Sequence, residues 1–222
     1  MAGFLLAFDL DGTLVDSVPD LTNALNDVLR EHGYPPLTRA EVMPMVGDGV
    51  PVLVGRAFAA RGGDAREAAE ALPRYVKLYE ERATELTRPY PGVPETLAAL
   101  RRHGYRTAVC TNKLQEASLR VLQGLGLAAL FDGVAGGDRF AVRKPDPGHL
   151  IGLIGELGGS PEQAAMIGDS ENDAAVAHAA KVPLVLMSYG YSRAAPESLG
   201  AAAVLDDFAM LPAALDRLGL TP

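Results

Sequence analysis

The chain opens on an unbroken apolar run, Phe4-Leu5-Leu6-Ala7-Phe8, which reads as a buried strand over Gly3–Phe8. The pattern then changes period. Val18, Leu21, Leu25, Val28 and Leu29 recur at helical spacing, and Gly33 follows as a stop signal. Further helices are expected over Arg39–Met45, then after Asp48–Gly49 with Val52, Leu53 and Phe58 on the apolar face. A long one is expected over Asp64–Leu86, with Leu72, Tyr75, Leu78 and Tyr79 in phase. No strand pattern interrupts Asp16–Leu86, so this stretch reads as a small helical bundle.

"RPYPGV" (Arg88–Val93) breaks that rhythm with two prolines and a glycine. Beyond it, strands and helices alternate. Strands are expected at Thr107–Cys110, around Val134, and at Ala164–Ile167, Pro183–Met187 and Ala202–Leu205. Helices are expected at Pro94–His103, Gln115–Leu122, Pro147–Leu157, Glu171–Ala180 and Asp207–Leu218. Such alternation specifies an α/β fold: a parallel sheet core with helices on both faces. A helical insertion follows its first strand. The core is expected to comprise residues 1–15 and 90–222, and the insertion residues 16–89. In open parallel sheets, ligands bind outside the carboxyl ends of the strands.

Composition narrows the function classes. The 222 residues are 48% hydrophobic and 22% charged, with a net charge of −8. An acidic chain does not favour nucleic acid or an anionic membrane as a partner, and a monomer or homodimer is expected. If the substrate is an anion, a local cationic pocket must overcome the global field. Cys110 is the single cysteine, which excludes an internal disulfide and fits a reducing compartment; it reads as a small buried hydrophobe. No signal sequence and no apolar run of membrane-spanning length is visible, so a cytoplasmic protein is expected.

The expected strand ends carry chemistry. The first is followed by Asp9, Asp11, Gly12 and Thr13. Residues i and i+2 of a strand share a face, so the two acids would sit side by side. Carboxylates about 4 Å apart repel by roughly 4 kcal/mol at an effective dielectric near 20. A plain acidic turn gains nothing from that repulsion. A hard cation, or a division of labour between an ionised and a protonated acid, would justify it. Thr111 and Asn112 follow the second core strand, Lys144 stands in "KPDP", and Gly168, Asp169, Ser170 and Asp173 form "GDSENDA". Each end suits a phosphate or a metal. The histidines lie outside these motifs and form no close pair, which argues against zinc. The glycines of "GLIGELGG" (Gly152–Gly159) open no helix after a strand, so a dinucleotide site is not expected.

The four motifs "DLDGTLVDS", "TN", "KPDP" and "GDSENDA", in this order, resemble those of the haloacid dehalogenase superfamily of phosphohydrolases. The resemblance covers essentially the whole chain, with the helical insertion matching the family's cap. It implies a Rossmann-like core. "DLDGTLVDSVPDL", "VGDGVPVLVGRA" and "SYGYS" resemble the bacterial phosphoglycolate phosphatase branch most. The implied activity is magnesium-dependent hydrolysis of a small phosphomonoester, 2-phosphoglycolate in the first instance. A sugar phosphate, nucleotide or pyrophosphate, a mutase reaction, and a non-catalytic phosphate-binding module stay open as alternatives.

The resemblance also implies roles. Asp9 would be the nucleophile and Asp11 the acid/base. Gly12 would let the backbone approach the phosphate, Thr111 and Asn112 would form an anion site, and Lys144 would supply positive charge. Mg2+ would be held by Asp9, Asp11 (through its carbonyl) and Asp169, with Ser170 and Asp173 behind them. In the insertion, Val46–Val50 is either a turn before a helix or a substrate-facing loop that brings Arg56 to a second anionic group. Asp48 counts against the latter. Tyr189, Gly190 and Tyr191 either line the entrance or form only a loop.

Overall fold

A computed structural model describes residues 3–222. The strands are β1 (Leu5–Phe8), β2 (Val15–Asp16), β3 (Arg88–Pro89), β4 (Arg106–Cys110), β5 (Gly133–Ala135), β6 (Ala164–Gly168), β7 (Leu184–Met187) and β8 (Ala203–Leu205). The helices are α1 (Val18–Glu31), α2 (Arg39–Val42), α3 (Val50–Ala59), α4 (Ala65–Arg82), α5 (Val93–Arg102), α6 (Gln115–Gly124), α7 (Pro147–Glu156), α8 (Glu171–Ala180) and α9 (Leu211–Arg217).

Six strands form one sheet in the order β5-β4-β1-β6-β7-β8, and every neighbouring pair is parallel. The chain starts at the centre, builds outward through β4 and β5, then returns to the other side of β1. The direction of winding therefore reverses between β1 and β6. That switch point opens a crevice at the carboxyl ends of these two strands. Both faces are covered, as the near-continuous apolar strands require. Leu6 and Phe8 join a large core with α5, α6, α9 and the insertion helices. Leu5 and Ala7 face the second core, built with α7 and α8. Cys110 is buried in that second core, and burial pushes its thiol up to about 12.

The insertion contains one element the sequence pattern does not predict. Val15 pairs with Pro89 and Asp16 with Arg88 in a two-stranded antiparallel ribbon, so the chain enters and leaves the helical segment at one place. The expected junctions at 15/16 and 89/90 fall on this ribbon. The buried Asp20 carboxylate braces it by accepting from Leu86 N (3.0 Å), Thr87 N (2.8 Å) and Thr87 Oγ1 (2.7 Å). α4 ends at Arg82 rather than at Leu86: Glu85 N turns to Arg82 O (3.1 Å), and Asp20 takes the Leu86 and Thr87 amides beyond it. α1, α3 and α4 pack together through Leu25, Val28, Leu53, Phe58, Ala71 and Leu78. No described helix is long and apolar enough to cross a membrane.

Candidate active site

Asp9 follows the last residue of β1, and its amide continues the sheet by donating to Ile167 O of β6 (2.8 Å). The turn after it closes tightly, with Gly12 N donating to Val15 O (2.9 Å) and Leu14 N to Leu10 O (3.0 Å). Gly12 has a φ of 91°, and a Cβ there would strike the Asp169 carboxylate. Only glycine satisfies both the left-handed backbone and that close approach.

Asp169 follows β6 and therefore faces Asp9 across the switch point. Its orientation is fixed from two sides. Thr13 Oγ1 donates to Oδ1 (2.7 Å) and Tyr191 N to Oδ2 (2.7 Å). Asp173, on the first turn of α8, spends its oxygens on the protein. Oδ2 accepts from Asp169 N (3.1 Å), Ser170 N (3.0 Å) and Ser170 Oγ (2.7 Å), and Oδ1 accepts from Lys144 Nζ (2.6 Å). The Lys144 ammonium also lies 2.9 Å from Asp9 Oδ1, although the angles leave that oxygen without a hydrogen bond. Burial alone would depress the Lys144 ammonium; Asp173 and Asp9 outweigh it and hold it above its ordinary value. His149 steadies the lysine's backbone, its Nδ1 accepting from Lys144 N (3.2 Å). Burial first, then Lys144, lowers that imidazole to about 4 and keeps it neutral.

Asp11 is not left face to face with Asp9 and unbalanced. It has its own cation: Lys113 Nζ donates to both carboxylate oxygens at 3.1 Å. Each acid of the pair thus meets a different buried lysine. Asp9 and Asp11 open onto one small cavity of about 40 Å³, walled by Leu21, Leu53, Tyr75, Val76 and Tyr79 of the insertion and by Thr111 to Leu114 of the core.

The remaining expected residues divide. Thr111 lies at the end of β4 on the cavity wall and accepts from Lys113 N (3.3 Å). Asn112 precedes α6, which begins only at Gln115, so its amide is not in a helical first turn. Its side chain instead donates to Lys144 O and to Gly47 O, each at 2.9 Å. The Val46–Val50 turn does face the crevice, but Arg56 does not line the cavity. Its guanidinium pairs with Asp48 (2.5 Å) and donates to Met45 O (2.9 Å). Asp48 also accepts from Arg193 (2.8 Å) and Asn172 (2.6 Å) of the core. Burial opposes its charge, but Arg193, Asn172 and Arg56 hold its carboxyl down at about 2. Tyr189 and Tyr191 brace the base of the insertion. Tyr189 donates to Thr13 O (2.8 Å), and the Tyr191 hydroxyl donates to Asp16 (2.7 Å) while accepting from Ser17 N (2.9 Å).

Sequence reasoning did not single out Lys113, gave Thr13 no role beyond its place at the strand end, and did not expect the Tyr191 amide to hold Asp169. Thr13 had a usable signal, since it directly follows the two acids. Lys113 had only its place after "TN", because its partner is 102 positions away.

The chemistry of the site fits a hard cation. Asp9, Asp169 and Asp173 each bring a carboxylate oxygen within 4.8 Å of the others. Asp173 is saturated by hydrogen bonds, which leaves Asp9 and Asp169 available. Burial first, then Lys144 against Asp173 and Asp11, leaves Asp9 raised to about 6. Burial and then Asp173 and Asp9 push Asp169 well above the usual carboxylate range. Two desolvated oxygen donors whose charge is unfavourable suit an oxygen-seeking divalent ion.

Known proteins resemble this chain over most of its length. The family model for haloacid dehalogenase-like hydrolases matches residues 6–187. A phosphoglycolate phosphatase of Rhodospirillum rubrum is 49% identical, with 97% of this chain and 95% of that protein covered. One from Caulobacter vibrioides is 42% identical, covering 96% and 90%. Among solved structures, a protein described as a predicted phosphoglycolate phosphatase from Haemophilus somnus superposes with a TM-score of 0.90 at 33% identity, covering 96% and 98%. The family match runs from the strand that carries Asp9 to the end of the strand beyond Asp169, through the whole insertion, and on that ground the chain belongs to the haloacid dehalogenase-like hydrolases.

Proposed function

We propose that the chain is a Mg2+-dependent phosphomonoesterase that hydrolyses 2-phosphoglycolate to glycolate and phosphate, with residues 16–89 acting as a cap over the core. The observation that carries the reading is the separation of the two acids. Asp9 faces Lys144 and Asp169 in the crevice, Asp11 faces Lys113, and both open onto one small cavity. Full-length likeness to proteins named phosphoglycolate phosphatase supports the substrate.

Asp9 attacks phosphorus, and the leaving oxygen takes a proton from Asp11, which gives an aspartyl-phosphate and the free alcohol. Asp11, now ionised, accepts a proton from the water that attacks the phosphoaspartate, and phosphate leaves with Asp9 regenerated. Lys144, the Thr111 hydroxyl and the Asn112 amide hold the non-bridging oxygens, and Gly12 leaves room for them. Asp173 keeps the Lys144 ammonium aimed at the nucleophile, and Ser170 holds Asp173. Asp9, Asp169 and the Asp11 main-chain carbonyl would hold Mg2+. When bound, the ion supplies neutralisation of the negative charge gathered at the nucleophile and the phosphate.

The test is a panel of phosphate esters assayed with Mg2+ and with chelator, ranked by kcat/KM. 2-Phosphoglycolate is expected to lead by at least tenfold, with activity lost in chelator. A sugar phosphate or nucleotide in first place would replace the substrate, and no hydrolysis of any ester would overturn the enzymatic reading.

A further inference from the structure

Lys113 is a lysine in an unusual place. It is 6% exposed and is the one cationic side chain on the cavity wall. An ammonium carries three donors, and Asp11 takes two of them. Nζ also stands 4.4 Å from the centre of the Tyr79 ring. Burying a lysine–carboxylate pair gains little by itself, because desolvation offsets the attraction. A structural role is therefore a poor reason for this pair to exist.

The wall opposite Lys113 supplies an independent observation. Tyr75 and Tyr79 of α4 stack with rings 6.2 Å apart, and both line the cavity. Their hydroxyls are buried and have no hydrogen-bond partner. A buried hydroxyl without a partner carries an uncompensated desolvation penalty, and two on adjacent turns of one helix are donors that a polar ligand would satisfy. Burial, then the neighbouring Tyr79 for Tyr75 and Asp11 for Tyr79, holds both phenols well above their ordinary range, so they remain donors. The cavity wall thus carries one ammonium and two tyrosines whose buried hydroxyls have donor capacity to spare, among apolar side chains.

The geometry points to a carboxylate subsite: Lys113, with the Tyr75 and Tyr79 hydroxyls, receives the carboxylate of the substrate's leaving group. The inference rests on the reading of the chain as a phosphatase and assigns the part of the site that selects the substrate. If Asp11 serves the ester oxygen, a carboxylate one methylene away from that oxygen falls beside whatever Asp11 itself touches, which is Lys113. The ammonium need not abandon Asp11 to reach it. Arg56 and Lys144 do not line this cavity; Arg56 turns to Asp48 and Met45, and Lys144 serves the nucleophile and the phosphoryl group. Glu80 also reaches the wall, which leaves the tyrosine–lysine end as the place for an anion.

The test compares 2-phosphoglycolate with ethyl phosphate, which has the same ester and chain but no carboxylate. The readout is the ratio of their kcat/KM values, which does not depend on the fraction of a preparation that is folded. In the unaltered enzyme the ratio is expected to favour phosphoglycolate. In Lys113→Met it is expected to fall about 10- to 100-fold, the usual effect of losing a charge-assisted hydrogen bond, with the KM for phosphoglycolate carrying most of the change. Lys113→Arg is expected to keep part of the preference. An unchanged ratio in Lys113→Met would overturn the subsite while leaving the phosphatase reading intact. An unaltered enzyme that hydrolyses both esters without preference would overturn the subsite and the choice of phosphoglycolate as substrate, and one that hydrolyses neither would overturn the phosphatase reading itself. Should Lys113→Met not fold, the double variant Tyr75→Phe/Tyr79→Phe is read in the same way: a ratio lowered several-fold supports the subsite, and an unchanged ratio overturns it.

Discussion

Lys144 Nζ lies 2.9 Å from Asp9 Oδ1, yet the Asp9 carboxyl stands at about 6 rather than 3.8, because burial outweighs the lysine. The native state therefore binds a proton at Asp9 at a pH where the unfolded chain does not. Stability from this group is gained as pH falls from above 6 toward 3.8 and is absent above 6. The metal-free protein is expected to show a rising urea midpoint over that window. Asp48, held down at about 2, works in the opposite sense, and its contribution is lost only at still lower pH. Mg2+ competes with those protons, so its stabilising effect on Tm is expected to be larger at pH 8 than at pH 5. Equal Mg2+ shifts at both pH values would show that Asp9 and Asp169 do not hold the ion.

Replacing Asp9 by Asn is expected to abolish turnover without loss of fold. An amide of nearly equal size cannot attack phosphorus, and loss of a nucleophile lowers kcat by several orders of magnitude. The substitution also removes a charge that burial disfavours, so the metal-free Tm should not fall. A folded Asp9→Asn protein retaining a tenth of the activity would take the nucleophile role away from this residue.

Asp11 and Asp169 should separate in metal titrations. Asp169 is aimed by Thr13 and Tyr191 toward Asp9, whereas the Asp11 side chain is held by Lys113. Asp169→Ala is expected to weaken Mg2+ binding at least tenfold, with partial recovery of activity at high Mg2+. Asp11→Asn is expected to bind Mg2+ nearly as tightly as the unaltered chain while losing most of its turnover. Isothermal titration of the two proteins decides it, and equal losses of affinity would contradict the division.

The Asp48–Arg193 contact joins the insertion to the core at 2.8 Å, with both side chains partly exposed. A pair of that kind is worth about 0.2–1 kcal/mol, so Arg193→Ala should leave Tm within a few degrees. The same energy acting on cap closure changes the closed-to-open ratio up to about fivefold. A KM for phosphoglycolate raised by a few-fold, with faster proteolysis between residues 39 and 82, is the expected result. A change in Tm without a change in KM would mean that the contact is only structural.

The core was legible in the sequence because each strand end carries both an apolar run and a polar group that such a run does not need. Asp9, Asp169, Lys144 and Thr111 could be placed at one edge from that coincidence alone. The β2–β3 ribbon could not, since two residues per strand are too few for any period. The end of α4 was misjudged for a related reason: the chain turns at Glu85, and Asp20, far back in sequence, takes the two amides that follow. Arg56 looked available because its partner Asp48 sits in a glycine turn whose direction no periodicity reports. Lys113 stayed hidden because a lysine ahead of a helix ordinarily means solvent, and only folding brings Asp11 onto it.

The central position of β1 also bears on how the chain is made. Leu5 pairs with Arg106 on one side and with Ala164 on the other, so β1 has no neighbour until β4 has followed it and is not enclosed on both sides until β6 has followed as well. The helices of the insertion depend on contacts much closer in sequence and can assemble in that interval. Pairings between distant segments form slowly because a long loop must close before they are rewarded. During refolding, amides of α3 and α4 should gain protection from hydrogen exchange before those of β1. The segment that carries Asp9 is thus made before both of its partner strands and is among the last secured, and competence for chemistry arrives only when the sheet is complete.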